Sequence, residues 1–172
     1  MFGRPRISYV VMVLLFILPQ SLYVIGNYMA VGIRFPLFRY QFSEYGTSFI
    51  PVNREVGFIT SGIIKWTTTA GTPSPTAVAT LIWVSGLVVL IAAAALILSR
   101  HLLGNHAHAR FVGPLIILAG VLFLIWAMVQ YGPFFSGPSG YSVPVGVPIL
   151  WYCGYQFMRE AKGEVARSAS SR

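Results

Sequence analysis

The chain has 172 residues, of which 56% are hydrophobic and 9% charged, with a formal net charge of +8. An ordinary soluble domain carries roughly 25% charged residues, so a water-soluble surface cannot be built from this composition. The basic residues are scattered beside apolar runs instead of clustering with aromatics, which excludes the electrostatic patch that nucleic-acid binding needs. They read as topology signals and as partners for the anionic head groups of a lipid bilayer. Cys153 is the single cysteine, so no intrachain disulfide and no cysteine-based zinc pattern is available.

The first apolar run extends from Ile7 to Ile33. A helix crosses a hydrocarbon core of ~30 Å with ~20 residues at 1.5 Å each. The run exceeds that length, so residues 1–33 read as a cytoplasmic N-terminus and a first span that tilts or kinks at Pro19, where the ring removes a backbone hydrogen bond. Arg4 and Arg6 before it, with Ala30-Val31-Gly32 near its end, also fit a cleavable leader. Within a helix, Gly26 and Ala30 stand four apart and make a smooth packing strip, and Asn27 beside them offers an interhelical hydrogen bond.

Residues 34–76 have fewer aliphatics and more Thr, Ser and aromatics, and read as a large extracytoplasmic loop. Phe38, Tyr40 and Phe42 alternate with Arg39, Gln41 and Ser43, the period-two pattern of a half-buried strand. Val56–Thr60 and Ile63–Thr69 flank Ser61-Gly62 as a hairpin would, and Ala70–Thr76 is a linker. A small antiparallel sheet is expected, with Phe38, Tyr40, Phe42, Phe58, Ile64 and Trp66 as its interaction surface.

Residues 77–99 form the second predicted span, free of charge and proline, with Ala92, Ala95 and Ser99 at helical spacing as a second packing strip. The connection 100–110 holds His101, His106 and His108, the candidate metal ligands of the chain. No carboxylate or cysteine accompanies them, and histidines facing water and head groups are the simpler expectation. Residues 111–131 form the third span, with Pro114 in its first turn, where the missing N–H costs nothing. Residues 132–140 make a short outer loop. Its Gly137-Pro138-Ser139-Gly140 resembles the G-x-S-G around the nucleophile of rhomboid-type intramembrane proteases, but every histidine lies on the opposite face, and a turn is expected. The fourth predicted span, 141–158, is short and contains Pro144, Gly146, Pro148 and Gly154; residues 159–172 are a tail.

Arg4, Arg6, Arg100, Arg110, Arg159, Lys162, Arg167 and Arg172 fall on one side of this arrangement, against Arg34, Arg39, Arg54 and Lys65 on the other. The positive-inside bias then puts both termini in the cytoplasm, in a plasma or cell membrane. The expected fold is an all-α transmembrane four-helix bundle with a small antiparallel β element in the first extracytoplasmic loop.

The chain contains no aspartate, and its glutamates are Glu44, Glu55, Glu160 and Glu164, outside the predicted spans. Aspartyl proteolysis, Mg²⁺-dependent phosphoryl transfer and ion-coupled pumping need carboxylates at or in the membrane. No catalytic residue and no cofactor is assigned, and Glu44 and Glu55 read as solvated, with Arg39 or Arg54 as salt partners. The layout is similar to that of claudin-like four-helix proteins, which have both termini inside and a sheet formed by a long first outer loop. The W-G-L-W segment and following two cysteines of that family are absent here, where Trp66 is the one loop tryptophan. The expected function is a non-enzymatic membrane scaffold or interaction protein whose outer loop contacts a protein partner, in a homo-oligomer or with other membrane subunits. The alternatives are an accessory subunit of a transport or electron-transfer complex, and a small oligomeric channel lined by Gln20 and Asn27, seven apart on one helix face.

Overall fold

The computed structural model describes residues 11–170 apart from 12, 27, 58, 61–74 and 104–108. The expected all-α four-helix bundle is not what forms: a six-stranded antiparallel sheet is joined to helices of which two are long and apolar enough to cross a membrane. The first apolar run is where expectation and structure part. Helix α1 (13–17) stops before Pro19; the Leu18 N–H still donates to the Leu14 carbonyl at 2.8 Å, but proline has no N–H with which to continue the ladder. The proline breaks the helix where a kink was expected. The chain becomes β1 (Ser21–Ile25), turns through Gly26 and Tyr28 at φ 57° and 63°, and returns as β2 (Ala30–Arg34). Gly26 and Ala30 therefore belong to a hairpin and form no helical packing strip. Gln20 precedes β1 and lies on no helix, and Asn27, the other residue of the expected polar stripe, lies outside the described residues.

β3 (Phe38–Ser43) and β4 (Gly46–Pro51) complete a meander. Beyond Pro51 the residues 52–57 are helical (α2), as are 59 and 60, where Val56–Thr60 had suggested a strand. The helical turn puts Glu55 and Ile59, four apart, on one buried side, and this burial overrides the β propensity of the segment. The expected second arm, Ile63–Thr69 with Ile64 and Trp66, lies outside the described residues, as does Phe58.

The sheet is completed from far along the chain, by β5 (Ser136–Gly137) and β6 (Gly140–Val143), in the order β4-β3-β2-β1-β6-β5. The expected fourth span thus begins as a strand. After Pro144, α5 (Gly146–Ser170) starts, and its apolar part ends at Met158 before Arg159 and Glu160. That part measures about 20 Å, short of a ~30 Å core.

The two span-length segments are Thr76–Ser99 in α3 (Pro75–Leu103) and Arg110–Tyr131 in α4 (Ala109–Tyr131), with mean hydropathies of 2.8 and 2.6. Their contact follows a heptad: the buried Ala79, Trp83, Leu90, Ala93 and Ile97 of α3, with Gly86 among them, face Val112, Ile116, Ala119, Phe123 and Trp126 of α4. Spacings alternate between four and three, the seam of a left-handed pair. At Gly86 a Cβ would lie 2.8 Å from Phe123 Cε1, so the ring needs the glycine. The anticipated strip is offset from this seam: Ala92 and Ala95 are exposed, Ser99 is half-buried with its hydroxyl on the Leu96 carbonyl, and Ala93 makes the contact. α5 runs antiparallel along α4, with Leu150 and Trp151 near Gly120, and Gly154 and Met158 near Gly113. Its C-terminal half therefore lies toward the α3–α4 connection, away from the sheet.

Candidate functional site

Strand register divides the sheet into two unlike faces. One cross-strand row on the inner face reads Ser142, Tyr23, Gly32, Gln41, Ser48, and beside it run Ser21, Arg34 and Arg39. Two rows on the outer face read Val143, Leu22, Ile33, Tyr40, Phe49 and Tyr141, Val24, Val31, Phe42, Thr47. The charged groups point toward the helices, among Tyr23, Ile25 and Ala30, and the outer rows are aliphatic or aromatic apart from Thr47, unlike a sheet covering an oily core. Leu22, Val31, Tyr40, Phe42, Phe49, Tyr141 and Val143 are all exposed, and the face carries no charge. Phe38, Tyr40 and Phe42 from the expected interaction surface are on it, with Phe38 stacked 4.6 Å from Phe35 and 5.2 Å from Phe49 between ring centroids.

The inner face is partly satisfied by specific partners, and the buried Tyr23 hydroxyl has no hydrogen-bond partner among the described residues. Ser21 and Ser142 share a hydrogen bond of 2.6 Å between hydroxyls. The Tyr23 ring lies against Gly32, where a Cβ would also come within 2.6 Å of the Tyr40 carbonyl oxygen, so only glycine fits there. Burial pushes the Tyr23 phenol above its usual pKa, against the pull of Arg39 and Arg34.

Arg34 ends β2 and reaches into the helix pair. Its Cζ stands 4.2 Å from the Trp83 ring centroid and 4.5 Å from that of Trp126, and its Nη2 donates to Glu55 Oε2. Arg39 Nε lies 3.0 Å from Glu55 Oε1 but outside hydrogen-bonding alignment, so the contact is ionic. Both Arg34 and Glu55 are nearly fully buried. Burial lowers the Arg34 pKa from the ordinary guanidinium range to about 10 while Glu55 holds it up, and the guanidinium is a cation at neutral pH. Two indoles compensate for lost water, since a desolvated cation–π contact is worth about 2 kcal/mol. The indole of Trp83 is itself anchored, its Nε1–H donating to the Pro36 carbonyl at 3.3 Å.

Beside this group a cavity of about 380 Å³ opens between the sheet and the adjoining ends of α3 and α4. Arg34, Arg39 and Glu55 line it from the sheet side, and Thr76, Thr80 and Tyr131 from the helices. Glu55, expected on a solvated face, is enclosed; Arg39, one of the two arginines expected to pair with the outer glutamates, is one partner, and Arg34, anticipated only as a loop charge, is the other. The signal for Arg34 was its place at the end of an apolar strand, visible only once that strand is separated from a helix.

Of the remaining candidates, His101 lies in the last turn of α3, and His106 and His108 lie outside the described residues. Among the described residues no group of three His, Cys, Asp or Glu side chains comes together. Comparison with protein-family models, with curated proteins and with solved structures finds no match.

Proposed function

We propose that this chain is a non-enzymatic, membrane-anchored interaction protein that docks a protein partner on the outer face of its sheet. The observation that carries the reading is the inverted sheet: the charges point inward, and the uncharged, largely apolar and aromatic rows through Leu22, Tyr40 and Phe49 and through Val31 and Phe42 face outward. Burying a Val, Leu or Phe side chain is worth roughly 1.5–3 kcal/mol, so a partner covering several of them recovers a large part of an ordinary binding energy. Contiguous exposed apolar surface of this kind marks an interaction site.

Anchoring rests on α3 and α4, which are long and apolar enough to cross a membrane. In the proposed orientation Arg100, Arg110, Arg159 and Lys162 lie on the cytoplasmic side of a cell membrane, by the positive-inside bias, and the sheet lies outside. A photo-cross-linking residue at Phe42, placed in the full chain in native membranes, tests the docking face. A discrete protein adduct, reduced when Val31 and Tyr40 are changed to Thr and Ser, supports it. Adducts with a second copy identify a homo-oligomer, and adducts with an unlike chain identify an accessory subunit. Adducts with lipid alone, or none, refute the protein-docking role.

A further inference from the structure

We propose that the cavity between the sheet and the ends of α3 and α4 binds a phosphate group, supplied by the head of an anionic phospholipid. The inference rests on the reading that α3 and α4 lie in a bilayer, and its test separates the two.

The charge of the site selects the ligand. Two guanidinium groups, Arg34 and Arg39, meet one carboxylate, and both oxygens of Glu55 are already engaged, Oε2 by Arg34 and Oε1 by Arg39. The walls retain a net positive charge, which disfavours a cation and favours an oxyanion. Arg39 Nε is buried beside Glu55 without a hydrogen bond, while the side chain is 21% exposed and lines the cavity, so the Nη edge of its planar donor fork is on offer. Such a fork matches two phosphate oxygens at once. The start of α3 adds to this. Its first turn holds no acidic residue, and Thr76 and Thr80 line the cavity from it, so the positive end of a 29-residue helix is left without a negative side chain of its own. Thr80 already donates to the Thr76 carbonyl at 2.7 Å, and among the described residues the Thr76 hydroxyl, the Gln130 amide and the Ser139 hydroxyl line the cavity as further donors.

Position selects the source. Thr76 and Tyr131 are the end residues of the two span-length segments, and both line the cavity. A cavity at that level opens where lipid phosphates reside, among the polar groups just outside the hydrocarbon. At about 380 Å³ it has the volume of roughly a dozen waters at ~30 Å³ each, ample for a phosphodiester with its first ester oxygens.

The test uses the full chain purified in neutral detergent. Native mass spectrometry and a fluorescent-lipid titration measure binding of phosphatidylglycerol, of phosphatidylcholine, and of glycerol phosphate and inorganic phosphate as soluble arms. Saturable binding of one phosphatidylglycerol is expected, with affinity at least about tenfold weaker in Arg39→Gln and reduced in Thr76→Val. Thermal melting of each variant must stay near that of the parent, which separates lost binding from lost fold; Thr76→Val and Gln130→Leu serve if Arg39→Gln does not fold. Competition by the soluble phosphates at similar affinity confirms the phosphate site and makes a free anion the ligand. Binding of neither class, or binding unchanged in folded Arg39→Gln and Thr76→Val, overturns the site. Carbonate-resistant flotation of the same chain decides the membrane reading separately, because the soluble-phosphate arm reports on the cavity whether or not the helices are embedded.

Discussion

Gly113 of α4 and Gly154 of α5 bring two helix backbones into direct contact: a Cβ at Gly113 would lie 2.6 Å from the Gly154 carbonyl oxygen. Nothing between them can yield, because the obstructing atom is main chain. Gly113→Ala is expected to push α5 off α4 and cost about 1–3 kcal/mol, read as a lower melting temperature in detergent. Gly163→Ala, in the same helix α5 but with nothing within 4 Å of the new Cβ, is the contrasting change. It is expected to be neutral or to stabilise by up to about 1 kcal/mol through helix propensity.

Removing the charge of Glu55 leaves Arg34 buried without its counter-ion. Glu55→Gln is expected to destabilise the fold by about 3–5 kcal/mol, whereas Arg34→Met combined with Glu55→Met recovers most of that loss, since a buried pair is often matched by apolar groups of similar volume. Chemical denaturation of the parent, both single variants and the pair gives the coupling energy. Additive effects would show that the two side chains do not act on each other.

Arg34 also fixes a pH dependence. Its pKa falls from the ordinary guanidinium value to about 10 on folding because burial disfavours the cation. Between those values the unfolded chain binds more protons than the folded one, so this group makes stability rise with pH there. Below about pH 10 both states are protonated, and the contribution is constant. The gap in unfolding midpoint between the parent and the Arg34→Met/Glu55→Met pair is therefore expected to be flat from neutral pH to about pH 9 and to shift in favour of the parent above that.

Tyr40→Ser with Phe42→Ser removes two exposed rings from the outer sheet face. Each is expected to change stability by about 0.5 kcal/mol or less, as surface substitutions do. Cross-linking yield and self-association, followed by analytical ultracentrifugation, should fall together.

The inverted sheet explains why the sequence misled where it did. In SLYVI and AVGIR the outward residues are Leu22, Val24, Val31 and Ile33, while the inward ones include Tyr23, Gly32 and Ala30, so hardly any polar contrast marks the period of two. Strand and helix then look alike to hydropathy, and Pro19 and Gly26 are the only punctuation. β3 was legible because Arg39, Gln41 and Ser43 restore the contrast. α3 and α4 were legible because a continuous apolar run of their length has no other common outcome. At the site, Arg39 was one of two arginines offered by charge as partners of Glu44 and Glu55, but the enclosure of Arg34 and Glu55 depends on Trp83 and Trp126 arriving from helices far along the chain, which no local pattern announces.

The hydroxyl pair of Ser21 and Ser142 joins residues 121 apart, and the β1–β6 seam it sits on has a consequence for synthesis. β1 through β4 leave the ribosome early, yet one edge of β1 stays unpaired until β6 has been made. In the proposed membrane arrangement, α3 and α4 enter the bilayer in between as a hairpin that returns the chain to the same side. A nascent chain whose helices insert the wrong way delivers β6 to the wrong compartment and leaves an open, apolar strand edge, the kind of surface that quality-control chaperones grip. In that arrangement, chains truncated after α4 are expected to remain chaperone-bound where the full chain is released.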